Sequence, residues 1–167
     1  MGCPNCEKNA VWEFTNKTKL CKRCFIDYLE RKLFKTIRKY GMLPESRKIE
    51  LKKSEDLNTK VLESMLKAKF TVKYSNKPNF SSKNLSDISE EIFSNILQGK
   101  FTGKKPKEKI SYPLYFATDK EIELYAKLKN IEGKKSKRNK QIQELFQKFI
   151  EKNPDIEHNV VNAYLQI

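Results

Sequence analysis

No cysteine follows residue 24, histidine occurs once, and 167 residues hold only five glycines and one tryptophan. These shortages narrow the chemistry. His158 falls in a terminal helical stretch with no cysteine near it in sequence, so it reads as a surface histidine, not half of a nucleophile–base pair. No run approaches the ~18 apolar residues of a membrane-crossing helix. The N-terminus has no apolar signal region, and Cys6 stands where a myristoylation pattern needs Ser or Thr. The expectation is a soluble, cytoplasmic protein. Acid pairs such as Glu90–Glu91 fall on a helix and read as solvated faces. No internal repeat is visible, and no catalytic residue stands out.

Positive charge is plentiful. Lys+Arg number 35 against 21 Asp+Glu, a formal charge of +14 and a sequence pI near 9.6. That balance suits a polyanion, because Lys and Arg release counterions from nucleic-acid phosphates. The plainer reading is a solvated basic surface without a partner. Hydrophobic residues make up 38%, enough for one ordinary domain with a small appendage.

All four cysteines lie in two Cys-x-x-Cys pairs, "CPNC" (Cys3, Cys6) and "CKRC" (Cys21, Cys24). In a cytosolic chain such pairs argue for metal before disulfides. Four thiolates close a tetrahedral shell around Zn2+ and leave no position for water, so the site should be structural. Between the pairs, "AVWEF", a turn at "TNKTK" and a return to Cys21 fit a two-stranded ribbon. A redox dithiol and an iron–sulfur cluster are the alternatives.

A helix over about 22–40 should follow, with Phe25, Leu29, Leu33 and Ile37 on one face and Gly41 as its stop. "KIEL" predicts a strand. Ser54 should cap a helix over 55–68 whose inner face is Leu57, Val61, Leu62 and Met65. "FTVKY" reads as a second strand. Ser86 should cap a helix to Leu97 with Ile88, Ile92, Phe93 and Ile96 inward, and "YPLYF" is a candidate short strand. Thr118 and Glu121 form a capping box for a helix to Lys129, and helices over 140–152 and 156–166 end the chain. Strand–helix–strand–helix order implies a parallel α/β layer. Two segments, 100–111 and 132–140, are basic loops.

Three stretches resemble the tRNA 2-thiolation family, the TtuA-type and cytoplasmic wobble-uridine thiolases of the PP-loop ATPase superfamily. They are the paired-cysteine ribbon with "LCKRCFIDYLERKLFKTIRKYGML"; "NLSDISEEIFSNILQGKF", where Asn84, Leu85, Asp87, Asn95 and Gly99 fall on the family pattern; and "YPLYFATDKEIELYAKLKNI" with "FQKFIEKNPDIEHNVVNAYLQI". The resemblance implies a zinc ribbon (1–24), a linking helix (25–43) and a shortened, helix-rich, Rossmann-like parallel α/β domain (44–167). Departures are as informative. The family's Ser-Gly-Gly-Lys-Asp-Ser phosphate loop is replaced by "KKSEDLN", where no glycine lets the backbone approach a phosphate and Glu55 and Asp56 would repel it. Ser86 stands in place of the first carboxylate of Asn-Leu-Asp-Asp, and the catalytic cysteines and the second zinc ribbon have no counterpart.

The resemblance therefore implies a truncated, non-catalytic member: a zinc-containing tRNA-binding or partner subunit, paired with a catalytic thiolase paralogue or with itself. The alternative is an RNA- or ribosome-binding protein that reuses the scaffold outside thiolation. For either, the expected phosphate contacts are Arg31, Lys35 and Arg38; Lys104, Lys105, Lys107 and Lys109; and Lys134, Lys135, Lys137, Arg138 and Lys140.

Overall fold

The structure, a computed structural model, describes residues 2–100, 110–136 and 138–166. Strands β1 (Ala10–Glu13) and β2 (Lys19–Cys21) pair antiparallel, with Ala10 opposite Cys21 and an irregularity between Ala10 and Trp12. The chain reverses at 14–18, where Phe14 and Thr18 share a backbone hydrogen bond of 2.9 Å and Lys17 takes φ 67°. Helix α1 (Lys22–Lys39) begins directly after β2, and Cys21 is its N-cap.

Phe25, Leu29, Leu33 and Ile37 are buried as their spacing predicts, and they form the spine of one continuous core. That core runs from Cys3, Leu20 and Cys21 through α1 to Ile49, Leu51, Leu62, Leu114 and Tyr125. The ribbon and the α/β layer are therefore packed together rather than merely tethered.

Strands β3 (Ile49–Leu51) and β4 (Val72–Tyr74) pair parallel through helix α2 (Leu57–Leu66), as strand–helix–strand order predicts. Two single-residue parallel bridges widen the layer, Leu51 to Phe80 and Phe80 to Ser111. Such one-residue pairings carry no periodic signal in sequence.

Helices α3 (Leu85–Leu97), α4 (Asp119–Lys129), α5 (Lys140–Lys152) and α6 (Ile156–Gln166) complete the described fold. A second, smaller apolar cluster of Leu85, Ile92 and Val161 joins α3 to α6. Among the described residues, no helix is long and apolar enough to cross a membrane.

Four sequence expectations need correction. Asp56, not Ser54, caps α2: its carboxylate accepts from the Thr59 amide at 2.8 Å, while the Ser54 hydroxyl accepts from the Asp56 amide. Asn84, not Ser86, caps α3 in a capping box with Asp87, because Ser86 is drawn to Glu157 of α6. "YPLYF" is a turn, closed by bonds from Tyr115 to Tyr112 and from Ala117 to Leu114; Pro113 has no amide to give a ladder. On α3, Ile92 is buried as expected, but Ile96 is 48% exposed.

Candidate functional site

The four cysteine sulfurs gather into one cluster, all within 4.8 Å of one another. Cys6 Sγ lies 3.3 Å from Cys21 Sγ and 3.8 Å from Cys24 Sγ. Each pair is held by its own local geometry. In the first, the Cys3 carbonyl accepts from the amides of Cys6 and Glu7, and Glu7 sits at φ 58°. Gly2 is needed beside it, since a Cβ there would come within 2.6 Å of the Glu7 carbonyl oxygen. In the second, Cys21 and Cys24 occupy the N-cap and third position of α1, whose N-terminal dipole favours thiolate. A backbone hydrogen bond from Cys21 pulls the Cys3 thiol down to about 6, while desolvation pushes Cys24 up to about 12. Without a cation, four sulfurs this close ionise unevenly.

The turn between β3 and α2 is where α/β proteins hold a phosphate, on the free amides of the helix N-terminus. Here two of those amides, those of Leu57 and Thr59, are engaged by the chain itself. The Leu57 amide donates to the Lys134 carbonyl at 2.8 Å, and the Lys134 amide donates to the Glu55 carbonyl at 2.8 Å. Asp56 takes the Thr59 amide and also accepts from the Thr59 hydroxyl at 2.8 Å, which lies 2.7 Å from the Ser82 hydroxyl. Residues 133–134 thus form a strap across the start of α2, and Gly133 lets it lie flat, because a Cβ at that position would come within 2.7 Å of Leu57 Cα. Lys60, 2.8 Å away, holds the Glu55 carboxyl below its usual range, so negative charge stays beside this helix end.

Beside the strap, a crevice of about 530 Å³ lies between α2, α3 and the start of α5. Its centre is Arg138, one of the sequence-predicted phosphate contacts. The structure places it elsewhere: it is only 11% exposed and bonds Asp87, Glu90 and Asp119, with two bonds to Asp119 at 2.6 and 2.8 Å. Asp87 also accepts from Asn58 at 2.9 Å, and Asn84 donates to Asp119 at 2.8 Å. Glu90, expected to be a solvated acid, is thus part of a part-buried network, while Glu91 pairs with Lys83 at 2.6 Å. Burial raises Glu90 and Glu157 above the ordinary glutamate value, as one guanidinium does not neutralise so many carboxyls. Ser86 donates to Glu157 and accepts from the Asp119 amide, so it braces α3, α4 and α6.

Of the other predicted contacts, Arg31, Lys35 and Arg38 are exposed along one strip of α1. A cavity of about 620 Å³ beside Cys24 includes Arg31, Lys32 and Lys35. Lys134, Lys135 and Lys140 are exposed, with Lys135 2.6 Å from Glu123. Lys104, Lys105, Lys107, Lys109 and Lys137 lie outside the described residues. His158 is half-buried, and burial holds its imidazole below the usual histidine value. The Arg138 network had a partial signal in sequence, since Asp87 lies in the family-like "NLSD". Nothing in sequence pointed to Gly133.

No protein-family model matches the chain, and no curated protein sequence does. Among solved structures, it is similar to the U34-tRNA thiolase NcsA from Methanococcus maripaludis, determined with its [4Fe-4S] cluster. The TM-score is 0.81 at 15% sequence identity, over 99% of this chain and 86% of the other. The fold is that of the thiolase: a helix-rich α/β domain with a small parallel sheet behind an N-terminal paired-cysteine ribbon.

Proposed function

We propose that the protein is a non-catalytic relative of the U34-tRNA thiolases that binds tRNA and carries one structural zinc. A single observation carries this reading. At the place where such a fold would bind ATP, the Leu57 and Thr59 amides at the start of α2 are spent on Lys134 and Asp56, and Gly133 closes the space above them. ATP does not fit: its phosphates would have to displace an internal carbonyl and a carboxylate, beside a second carboxylate at Glu55. What supports RNA is the +14 charge and the exposed row of Arg31, Lys35 and Arg38.

The sulfur geometry favours a single tetrahedral ion. Zn–S bonds of ~2.3 Å place thiolates about 3.8 Å apart, close to the spacings seen here. A four-iron cube needs its thiolates spread wider, one on each iron. Cys3, Cys6, Cys21 and Cys24 would hold the zinc, which would close the ribbon and supply no reaction.

The test pairs tRNA binding with ATP calorimetry on the full chain. We expect tRNA to bind and ATP to bind no better than millimolar. A micromolar dissociation constant for ATP, or no tRNA binding at low salt, would overturn the proposal.

A further inference from the structure

The second apolar cluster is incomplete. Leu85, Ile92 and Val161 are buried, but Ile88, Tyr115, Val160 and Tyr164 around them are only partly covered. A cavity of about 610 Å³ opens there, lined by Tyr40, Tyr112, Tyr115 and Tyr164 with Ile92 and Val161. The size suits a small planar ligand, because ligand pockets run from about 300 to 1,000 Å³.

Four tyrosines from three separate segments of the chain give this cavity a ring-lined wall with polar tips. Tyr40 and Tyr115 meet edge to face, ring centres 5.6 Å apart at 81°. Tyr115 and Lys39 beside it hold the Tyr40 phenol below the ordinary tyrosine value, and the Lys39 ammonium lies 5.0 Å from the Tyr40 ring centre. Tyr40 is 50% exposed, so its hydroxyl is within reach of a ligand. Asn95 and Ser111 add further polar groups to the lining. An acyl chain would offer nothing to Tyr40 and Asn95 in the lining, whereas a heterocycle with ring nitrogens and carbonyls would bond them.

We propose that this cavity receives one unstacked base of a bound RNA strand, stacked on the tyrosine rings and hydrogen-bonded by the Tyr40 hydroxyl. The inference rests on the RNA-binding reading above. It adds base contact to a surface that the sequence shows only as charge. Stacking of unpaired bases on aromatic rings is the usual way proteins read single-stranded RNA, and Lys39 at the rim is placed to meet a flanking phosphate.

The experiment uses the full chain and an RNA hairpin with 2-aminopurine in its loop, compared across wild type, Tyr40→Ala, Tyr40→Phe and an Arg31/Lys35/Arg38→Ala triple variant. Binding to wild type should change the 2-aminopurine fluorescence. Tyr40→Ala should lower affinity about 5- to 150-fold, the effect of removing one stacking ring, with the salt slope unchanged. Tyr40→Phe should retain most of the affinity. The triple variant should do the reverse, flattening the salt slope while keeping the fluorescence change. Hairpin binding with wild-type affinity by Tyr40→Ala, or with no fluorescence change, would overturn the pocket and leave the RNA reading standing. If wild type binds no hairpin, the RNA reading fails. A shift of the Tyr115 ring resonances on titrating free adenosine or uridine would then assign the cavity to free nucleosides and overturn an RNA strand as the source. Unshifted resonances would overturn the cavity as a base site altogether.

Discussion

At the residue scale, Glu157 shows how a carboxyl can be kept for its oxygen rather than its charge. It is buried against Ser86 and near the Arg138 network. Burial raises its folded-state value above the ordinary 4.5, so the folded chain favours the protonated acid. The stability this confers is present below about 4.5 and is lost as pH rises through the raised folded value. Glu157→Gln accepts the same hydrogen bond without ionising. We expect the variant to be more stable than wild type at pH 7, with the advantage gone at pH 4, in urea melts at both values. A variant less stable at pH 7 would refute this account. Arg138, by contrast, should not be used to probe RNA contact. Its loss would strand Asp87, Glu90 and Asp119 in a part-buried network and destabilise the fold by itself.

At the element scale, helix existence was legible and so were most helix starts, but the caps of α2 and α3 were not. The buried stripe of α1 and the Thr118–Glu121 capping box of α4 are local patterns, and both stand. Ser54 and Ser86 misled because each has a second capping residue two positions away, Asp56 and Asn84. Which one caps is decided by distant partners, Lys134 for α2 and Glu157 for α3. The strap at 133–134 was read only as a basic loop for the same reason, since its role depends on meeting α2. Gly133→Ala tests it directly. The added Cβ would crowd Leu57 Cα, and overpacking of this kind costs about 1–3 kcal/mol. Urea denaturation should show that loss; an unchanged midpoint would mean that the strap does not brace α2.

At the scale of the whole molecule, the metal centre and the α/β layer share a core through α1. Zinc binding to an unformed site supplies folding energy on the order of 10 kcal/mol. Cys21→Ser should therefore release the metal and lower the melting temperature of the entire chain in one transition. Elemental analysis of wild type should give one zinc per chain; iron, or no metal in folded protein, would contradict the proposed centre. The basic surface makes a second whole-molecule prediction. Binding to tRNA should weaken steeply with salt, by roughly 0.7 to 0.9 in the logarithmic slope for each phosphate neutralised. Changing Lys134, Lys135 and Lys140 to Ala, with Arg138 left intact, should lower that slope by about 2 to 3 if all three meet phosphates. An unchanged slope would remove this segment from the RNA surface. The sequence made the charge legible but not its arrangement, because Arg138 is spent inside the fold and four tyrosines from three segments line one cavity.

The bond between Lys134 and Leu57 also sets what it would take to build a phosphate site at this turn. A glycine-rich turn placed between β3 and α2 would face a helix whose Leu57 and Thr59 amides already have partners. Withdrawing the strap alone would leave the Leu57 amide bare and unfavourable. Neither change helps without the other, so no single substitution opens this helix end to a phosphate.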